Sequence, residues 1–221
     1  MNEIKIYTAD VRPLSDAERF QTLYHQVSAQ RREKVDRMRF DKDKRLSLGA
    51  GALLNAALSA EGVSDFTMTS GQNGKPRLAH HADIHFNLSH SGTRVMCAVS
   101  DSAIGCDVEQ IREMDMKIAR RFFYAEEYET LMQCKDSEER SALFFRYWTL
   151  KESFMKATGL GFALALDAFC ILLSEDGVSV RQSVDKRTYS FREFDLHDGY
   201  RYAVCSAEKA LDGAVFQELV L

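Results

Sequence analysis

Proline is almost missing from this chain: Pro13 and Pro76 are the only two in 221 residues. No proline-rich or glycine/serine-rich stretch marks a linker by composition. No apolar run reaches the ~18 residues that a membrane helix needs. The opening MNEIKIYTADV is acidic and alternates like a strand, which excludes a signal peptide. The expectation is a cytoplasmic protein with no membrane partner. The five cysteines (Cys97, Cys106, Cys134, Cys170 and Cys205) are odd in number, widely spaced and without a C-x-x-C pair. A disulfide framework and a thiolate zinc site are therefore excluded. His80, His81 and His85 cluster, but at the spacing of no standard metal set. No G-x-S-x-G elbow is present, and adjacent Ser89 and His90 do not pair readily as nucleophile and base.

Positive charge is also in short supply. The net charge is −4, which argues against general nucleic-acid binding. The deficit is uneven: residues 31–45, RREKVDRMRFDKDKR, hold eight Lys/Arg against four Asp/Glu. A solvated helical face explains such a run, and a small anion site for phosphates is the alternative. With 45% hydrophobic and 28% charged residues, the chain has the material for a sizeable core.

The elements come in two similar series. EIKIYTA reads as a strand. Ser15 and Glu18 form a capping box that opens helical pattern to about Ala60, with Gly62 as the stop. DFTMT, IHFNLS and RVMCAVS follow as strands. IGCDVEQI opens the second series, with helical pattern over about 115–133 and 137–157. AFCILLS, VSVRQS, YSFREFD, YRYAVCSA and AVFQELVL follow as strands, with turns at Asp176-Gly177 and Asp198-Gly199. The expected fold class is α+β. Two similar halves, 1–103 and 104–221, are related by a pseudo-twofold. Each has a mostly antiparallel sheet packed on helices, and the active site lies in the cleft between them.

IGCDVE, residues 104–109, is an apolar strand carrying two carboxylates. Alternate residues share a face, so Ile104, Cys106 and Val108 point to the core, and Gly105, Asp107 and Glu109 point the other way. The carboxylates lie roughly 7 Å apart along the strand and repel unless a cation lies near. Gly105, without a side chain, admits a close neighbour. In ALFFRYWTLKESFMKATGLG, Asp136 or Ser137 can cap a helix that Gly159 ends. This helix is apolar nearly all round, hence mostly buried. Its Glu152 and Lys156 share a face. Glu152 would complete an oxygen cluster with Asp107 and Glu109, and Lys156 would hold an anion beside it. Such oxygen ligands suit Mg²⁺ with substrate phosphates. In FNLSHSG, Phe86 and Leu88 turn inward, and Ser89, His90 and Ser91 form a polar turn able to bind phosphate.

GKP (74–76), FNLSHSG, IGCDVEQI, RRFFYAEEYETL and YWTLKESFMKATGLG, in that order, resemble the motifs of the 4′-phosphopantetheinyl transferases of the larger, pseudo-dimeric Sfp type. The resemblance implies transfer of the phosphopantetheine arm of coenzyme A to a serine of an apo carrier protein, releasing 3′,5′-ADP. It implies Mg²⁺ held by Asp107, Glu109 and Glu152, with Glu152 also the base for the carrier serine and Lys156 stabilising the phosphate. Ser89 and His90 would bind phosphates of coenzyme A, Lys75 would lie near the nucleotide, and Arg45 with Arg31 or Lys34 would hold the 3′-phosphate. It implies a monomer, since the short trimeric class is disfavoured by length. Two departures stand out. Cys106 replaces a β-branched residue, and Leu160 replaces a lysine common in the family. Glu127 sits where the family often has glutamate and either binds metal or braces the site. The rival readings are a Mg²⁺-dependent nucleotide pyrophosphate hydrolase and a non-catalytic binder of coenzyme A or carrier protein.

Overall fold

The computed structural model describes residues 3–221. The first series is β1 (Lys5–Asp10), α1 (Ala17–Gln26), α2 (Ala29–Asp36), α3 (Asp41–Ser59), β2 (Met68–Ser70), β3 (Pro76–Leu78), β4 (His85–Ser91) and β5 (Arg94–Ser100). The second is β6 (Ile104–Gln110), α4 (Met116–Phe122), α5 (Ala125–Gln133), α6 (Ser137–Thr158), β7 (Cys170–Ser174), β8 (Gly177–Arg181), β9 (Tyr189–Phe194), β10 (Tyr200–Ala207) and β11 (Val215–Leu219). The α+β class and the repeated order of strand, helices and sheet are as the sequence predicts.

The differences are local. Ser15 is not the cap: residues 12–15 form a 3-10 turn, and Asp16 accepts from Arg19 N instead, one residue later. The helical pattern to Ala60 is three helices. Ser28 caps the start of α2 by accepting from Arg31 N, whereas α3 begins after Phe40 without a side-chain cap. The pattern over 115–133 is two helices, because the Glu127 carboxylate turns back to accept from Tyr124 N and starts α5 there. The long apolar helix behaves as expected, with Asp136 as its cap and Gly159 in left-handed backbone (φ 76°) as its stop.

One sheet runs β11-β1-β5-β4, with β1 and β11 parallel; another runs β6-β10-β9, antiparallel throughout. A division at 103/104 falls in the turn between β5 and β6, and the last strand, β11, crosses back to the first sheet. The first sheet buries Ala9, Val95, Cys97 and Val99 against Leu46, Leu53 and Leu54 of α3. Its other face, with Ile6, Met96 and Ala98, packs on Ile104, Cys106, Val108, Tyr202 and Val204 of the second sheet. That second sheet presents Ala203 and Cys205 to Phe154 and Ala157 of α6. The order of layers is helix, sheet, sheet, helix. Cys106 is therefore a core residue at the junction of the two sheets.

Candidate active site

The site forms where β4 runs beside β6. The two strands are not joined by a backbone ladder; side chains bridge them. Asn87 Oδ1 accepts from Cys106 N (2.9 Å), Ser89 Oγ from Val108 N (3.4 Å) and Ser91 Oγ from Gln110 N (3.3 Å). Each is two residues from the last on both strands, so one register serves all three. The alternate residues Phe86, Leu88 and His90 turn to a different place, a cavity of about 620 Å³.

On β6 the carboxylates face α6 as the alternation requires. Gly105 explains how the helix gets there: a Cβ on it would lie 2.0 Å from Ser153 O and 2.5 Å from Ala157 N. The close neighbour that the glycine admits is the backbone of α6 itself. That contact sets Glu152 and Lys156 over Asp107 and Glu109.

Lys156 Nζ donates to Asp107 Oδ1 (2.7 Å), to the Cys106 carbonyl (3.1 Å) and to Ser89 Oγ (3.2 Å). Ser89 donates to the same Asp107 oxygen at 2.6 Å, and Ser91 donates to Glu109 Oε2 at 2.6 Å. Asp107 is 4% exposed, and its other oxygen, Oδ2, is buried with no protein partner. Among the described residues, none donates a hydrogen bond to Glu152. Burial pushes the Glu152 carboxyl up, and the negative charges of Asp107 and Glu109 push it further than Lys156 can offset. Glu109 is raised by burial and by Asp107. Burial pulls the Lys156 ammonium down, but Asp107, Cys106 and Glu152 outweigh it and hold lysine above its ordinary range. One lysine thus faces three carboxylates that repel one another.

Whether a metal fits can be judged from these atoms. Among the described residues no three His, Cys, Asp or Glu side chains already converge as a metal cage. Asp107 is turned to Lys156 and Glu109 to Ser91. The donor set is nevertheless all oxygen, in excess negative charge, and includes the orphaned Asp107 Oδ2. Such a set fits a hard cation such as Mg²⁺ with part of its shell left to water or phosphate.

The other expected residues divide. Arg31, Lys34 and His90 line the 620 Å³ cavity together with Ser47, Met68 and Phe86. Arg31 is 7% exposed and lies across Gly51. Among the described residues the one acceptor of its guanidinium is the Ser47 carbonyl at 3.5 Å, and no carboxylate pairs with it. A buried guanidinium without a counter-ion is a ready anion site. Arg45 is not in that cavity; it lines a smaller one with Arg12, Lys42 and Thr93. Lys75 spends its ammonium on two carbonyls, Ile104 (2.9 Å) and Lys156 (2.5 Å). Glu127 is 1% exposed and pairs with Lys151, 0% exposed, at 2.7 Å. It accepts from Ile171 N as well, at 2.6 Å. Sequence reasoning missed Asn87 and the bridging role of Ser89 and Ser91. The x-S-x-S alternation beside IGCDVE was the available signal.

An all-oxygen carboxylate cluster with a lysine, and a basic cavity with an arginine unpaired by any described carboxylate, are features that suit a phosphate-rich ligand. Two family models match the chain, "4′-phosphopantetheinyl transferase, N-terminal" over residues 13–102 and "4′-phosphopantetheinyl transferase superfamily" over residues 103–205. The chain is 35% identical over 202 residues to the 4′-phosphopantetheinyl transferase Sfp of Bacillus subtilis (strain 168), covering 89% of this chain and 88% of that one. It is 34% identical over 214 residues to the 4′-phosphopantetheinyl transferase psf-1 of Bacillus pumilus, covering 94% and 91%. A holo-(acyl-carrier-protein) synthase of Bacillus anthracis str. Ames, solved in complex with CoA (3′,5′-ADP), superposes with a TM-score of 0.41 at 13% identity, over 48% of this chain and 95% of that one. The chain belongs to the 4′-phosphopantetheinyl transferase family, and within it to the Sfp type.

Proposed function

We propose that this protein transfers the 4′-phosphopantetheine arm of coenzyme A to a serine of an apo carrier protein, with 3′,5′-ADP as the leaving group. Family membership supports the reaction. The single structural observation that supports the site is the buried Asp107, tied to Lys156 through one carboxylate oxygen and left with the other unpartnered, its charge close enough to raise both Glu109 and Glu152.

The carrier serine supplies the nucleophile, so this chain needs none of its own. Glu152 takes the serine proton, its carboxylate accepting no hydrogen bond from the described residues. As the serine oxygen bonds to the phosphorus of the arm, the pyrophosphate P–O bond breaks and charge collects on the leaving phosphate. Lys156 faces that charge as a fixed ammonium. Asp107, Glu109 and Glu152 would hold Mg²⁺, which when bound polarises phosphoryl oxygens. Ser89 and Ser91 keep Asp107 and Glu109 in place from behind. Arg31, Lys34 and His90 hold the 3′-phosphate end in the basic cavity, with Arg45 outside it. The enzyme works as a cytoplasmic monomer on carrier proteins, with no nucleic-acid or membrane partner. No helix among the described residues is long and apolar enough to cross a membrane.

Intact-protein mass spectrometry of apo carrier proteins incubated with this protein, coenzyme A and Mg²⁺ tests the reading. The expected result is a gain of one phosphopantetheine, lost with EDTA and with a carrier Ser→Ala variant. Cleavage of coenzyme A without any gain on a carrier would replace the transferase by a pyrophosphate hydrolase.

A further inference from the structure

The loop between β2 and β3 leaves the first half and ends on α6 in the second. Asn73 and Gly74 both take left-handed backbone (φ 56° and 78°), and Gly71 N donates to the Lys75 carbonyl at 2.7 Å. This tight turn throws two side chains across the cleft. Asn73 Nδ2 donates to the Gly159 carbonyl at 3.1 Å. Lys75 Nζ donates to the carbonyls of Lys156 (2.5 Å) and Ile104 (2.9 Å).

The acceptors explain why such a contact forms. The last four carbonyls of a helix have no intrahelical donor, and they carry the negative end of its dipole. In α6, which ends at Thr158, that of Lys156 meets a donor from the other half of the molecule, and so does the carbonyl of Gly159 just past the helix end. Ile104 is the first residue of the strand that bears Asp107. One amine therefore ties the end of the helix to the start of the strand. Lys156 is held twice over: its carbonyl by Lys75, and its ammonium by Asp107 and Ser89.

We propose that Lys75, seconded by Asn73, is a positioning residue that clamps the last turn of α6 to β6 and so fixes Lys156 against the carboxylates, instead of contacting the nucleotide. Burial draws the Lys75 ammonium down to about 8. The neutral amine still has two N–H groups, enough for both carbonyls, so the clamp closes in either state. The catalytic consequence rests on the transferase reading; the clamp itself does not.

The test is Lys75→Met, read in two ways. Hydrogen exchange followed by mass spectrometry should show the amides of residues 157–160 exchanging about tenfold faster than in the parent. With an apo carrier that the parent enzyme modifies, kcat should fall about tenfold while KM for coenzyme A changes less than about twofold, since misplacement and not binding is at fault. Asn73→Gly keeps the left-handed backbone and removes the amide. It should move both readouts the same way by a smaller amount, and it carries the test if Lys75→Met does not fold. A raised KM with kcat unchanged would return Lys75 to the nucleotide, and unchanged exchange at 157–160 would overturn the clamp. Absence of transfer by the parent protein would sink the functional reading alone, because the exchange measurement still decides the clamp.

Discussion

Helix α6 carries two lysines, five residues apart, and each meets a carboxylate at 2.7 Å. Five residues turn the helix by roughly 140°, so the two pairs lie on different sides of it. They have opposite characters. Around Glu127–Lys151 every need is met: Glu127 accepts from Ile171 N and Tyr124 N, and Lys151 donates to the Phe169 carbonyl and sits 4.2 Å from the centre of that ring. Around Asp107–Lys156 a carboxylate oxygen is left over, two further carboxylates crowd in, and Lys156 keeps a quarter of its side chain exposed. The two pairs share their geometry and differ in unspent lone pairs, crowding charge and exposure of the lysine.

The largest break in this comparison is Glu152→Gln. It keeps the shape and removes the base, so transfer should fall about 10³-fold with the melting temperature nearly unchanged. Steady-state transfer to an apo carrier measures the first, calorimetry the second. Near-parental turnover would strip Glu152 of its role.

Next come the two lysines themselves. Lys151→Met leaves Glu127 buried and unpaired and should cost about 3–5 kcal/mol in urea unfolding. Adding Glu127→Gln removes the stranded charge and should return part of that loss. Lys156→Met should instead cost about 10²-fold in transfer with a much smaller loss of stability. Equal stability losses at the two positions would mean that the pairs do not differ as described.

Gly105→Ala tests what holds the reacting pair in place. The new methyl meets backbone atoms of Ser153 and Ala157, which cannot swing aside. The helix must shift, at about 2 kcal/mol, and activity should drop with it because Glu152 and Lys156 ride on that helix. Loss of stability without loss of activity would separate the glycine from the site.

The Glu127–Lys151 pair should also leave a signature in pH. Burial lifts the Glu127 carboxyl above its ordinary 4.5, more than Lys151 and the two backbone donors pull it down. Between 4.5 and that raised value the folded protein binds this proton more readily than the unfolded chain. The Glu127 contribution to stability therefore falls as pH rises through that window. Relative to the parent, Glu127→Gln should flatten the slope of melting temperature against pH there; an identical slope would refute the assignment.

Much of this contrast was written in the sequence. Alternation in IGCDVE fixes which side of β6 is acidic, and the four-residue step from Glu152 to Lys156 puts both on one face. Those are properties of one strand and one helix. The union of the two depends on Gly105 meeting a backbone fifty residues away, and sequence spacing holds no trace of that approach. The same holds for Lys75, whose ammonium is claimed by carbonyls: a lysine in a GKP turn reads as a free cation until the fold brings helix α6 to it. Arg45 and Arg31 lie in one basic run, yet they face different cavities because the four residues between α2 and α3 redirect the chain. Glu127, open in the sequence between metal ligand and brace, lies buried against Lys151, a partner that sequence spacing does not name.

The smallest expected effect sharpens the comparison from the outside. Glu126, next in the chain to Glu127, also pairs with a base: Arg181 Nη2 donates to Glu126 Oε1 at 2.7 Å. The distance equals that of the two pairs on α6. Here, however, both side chains are more than half exposed (57% and 51%), so water solvates each charge with or without the other. The Arg181 guanidinium also lies 5.3 Å from the centre of the half-buried Tyr124 ring. Arg181→Ala should therefore cost at most about 0.5–1 kcal/mol in urea unfolding, shrinking as salt is raised, with transfer unaffected. A loss matching that of Lys151→Met would mean that distance, and not solvation, ranks these pairs. A small loss, set beside the large one at the neighbouring glutamate, would show that one residue of chain and the exclusion of water turn the same contact from surface ornament to structural brace.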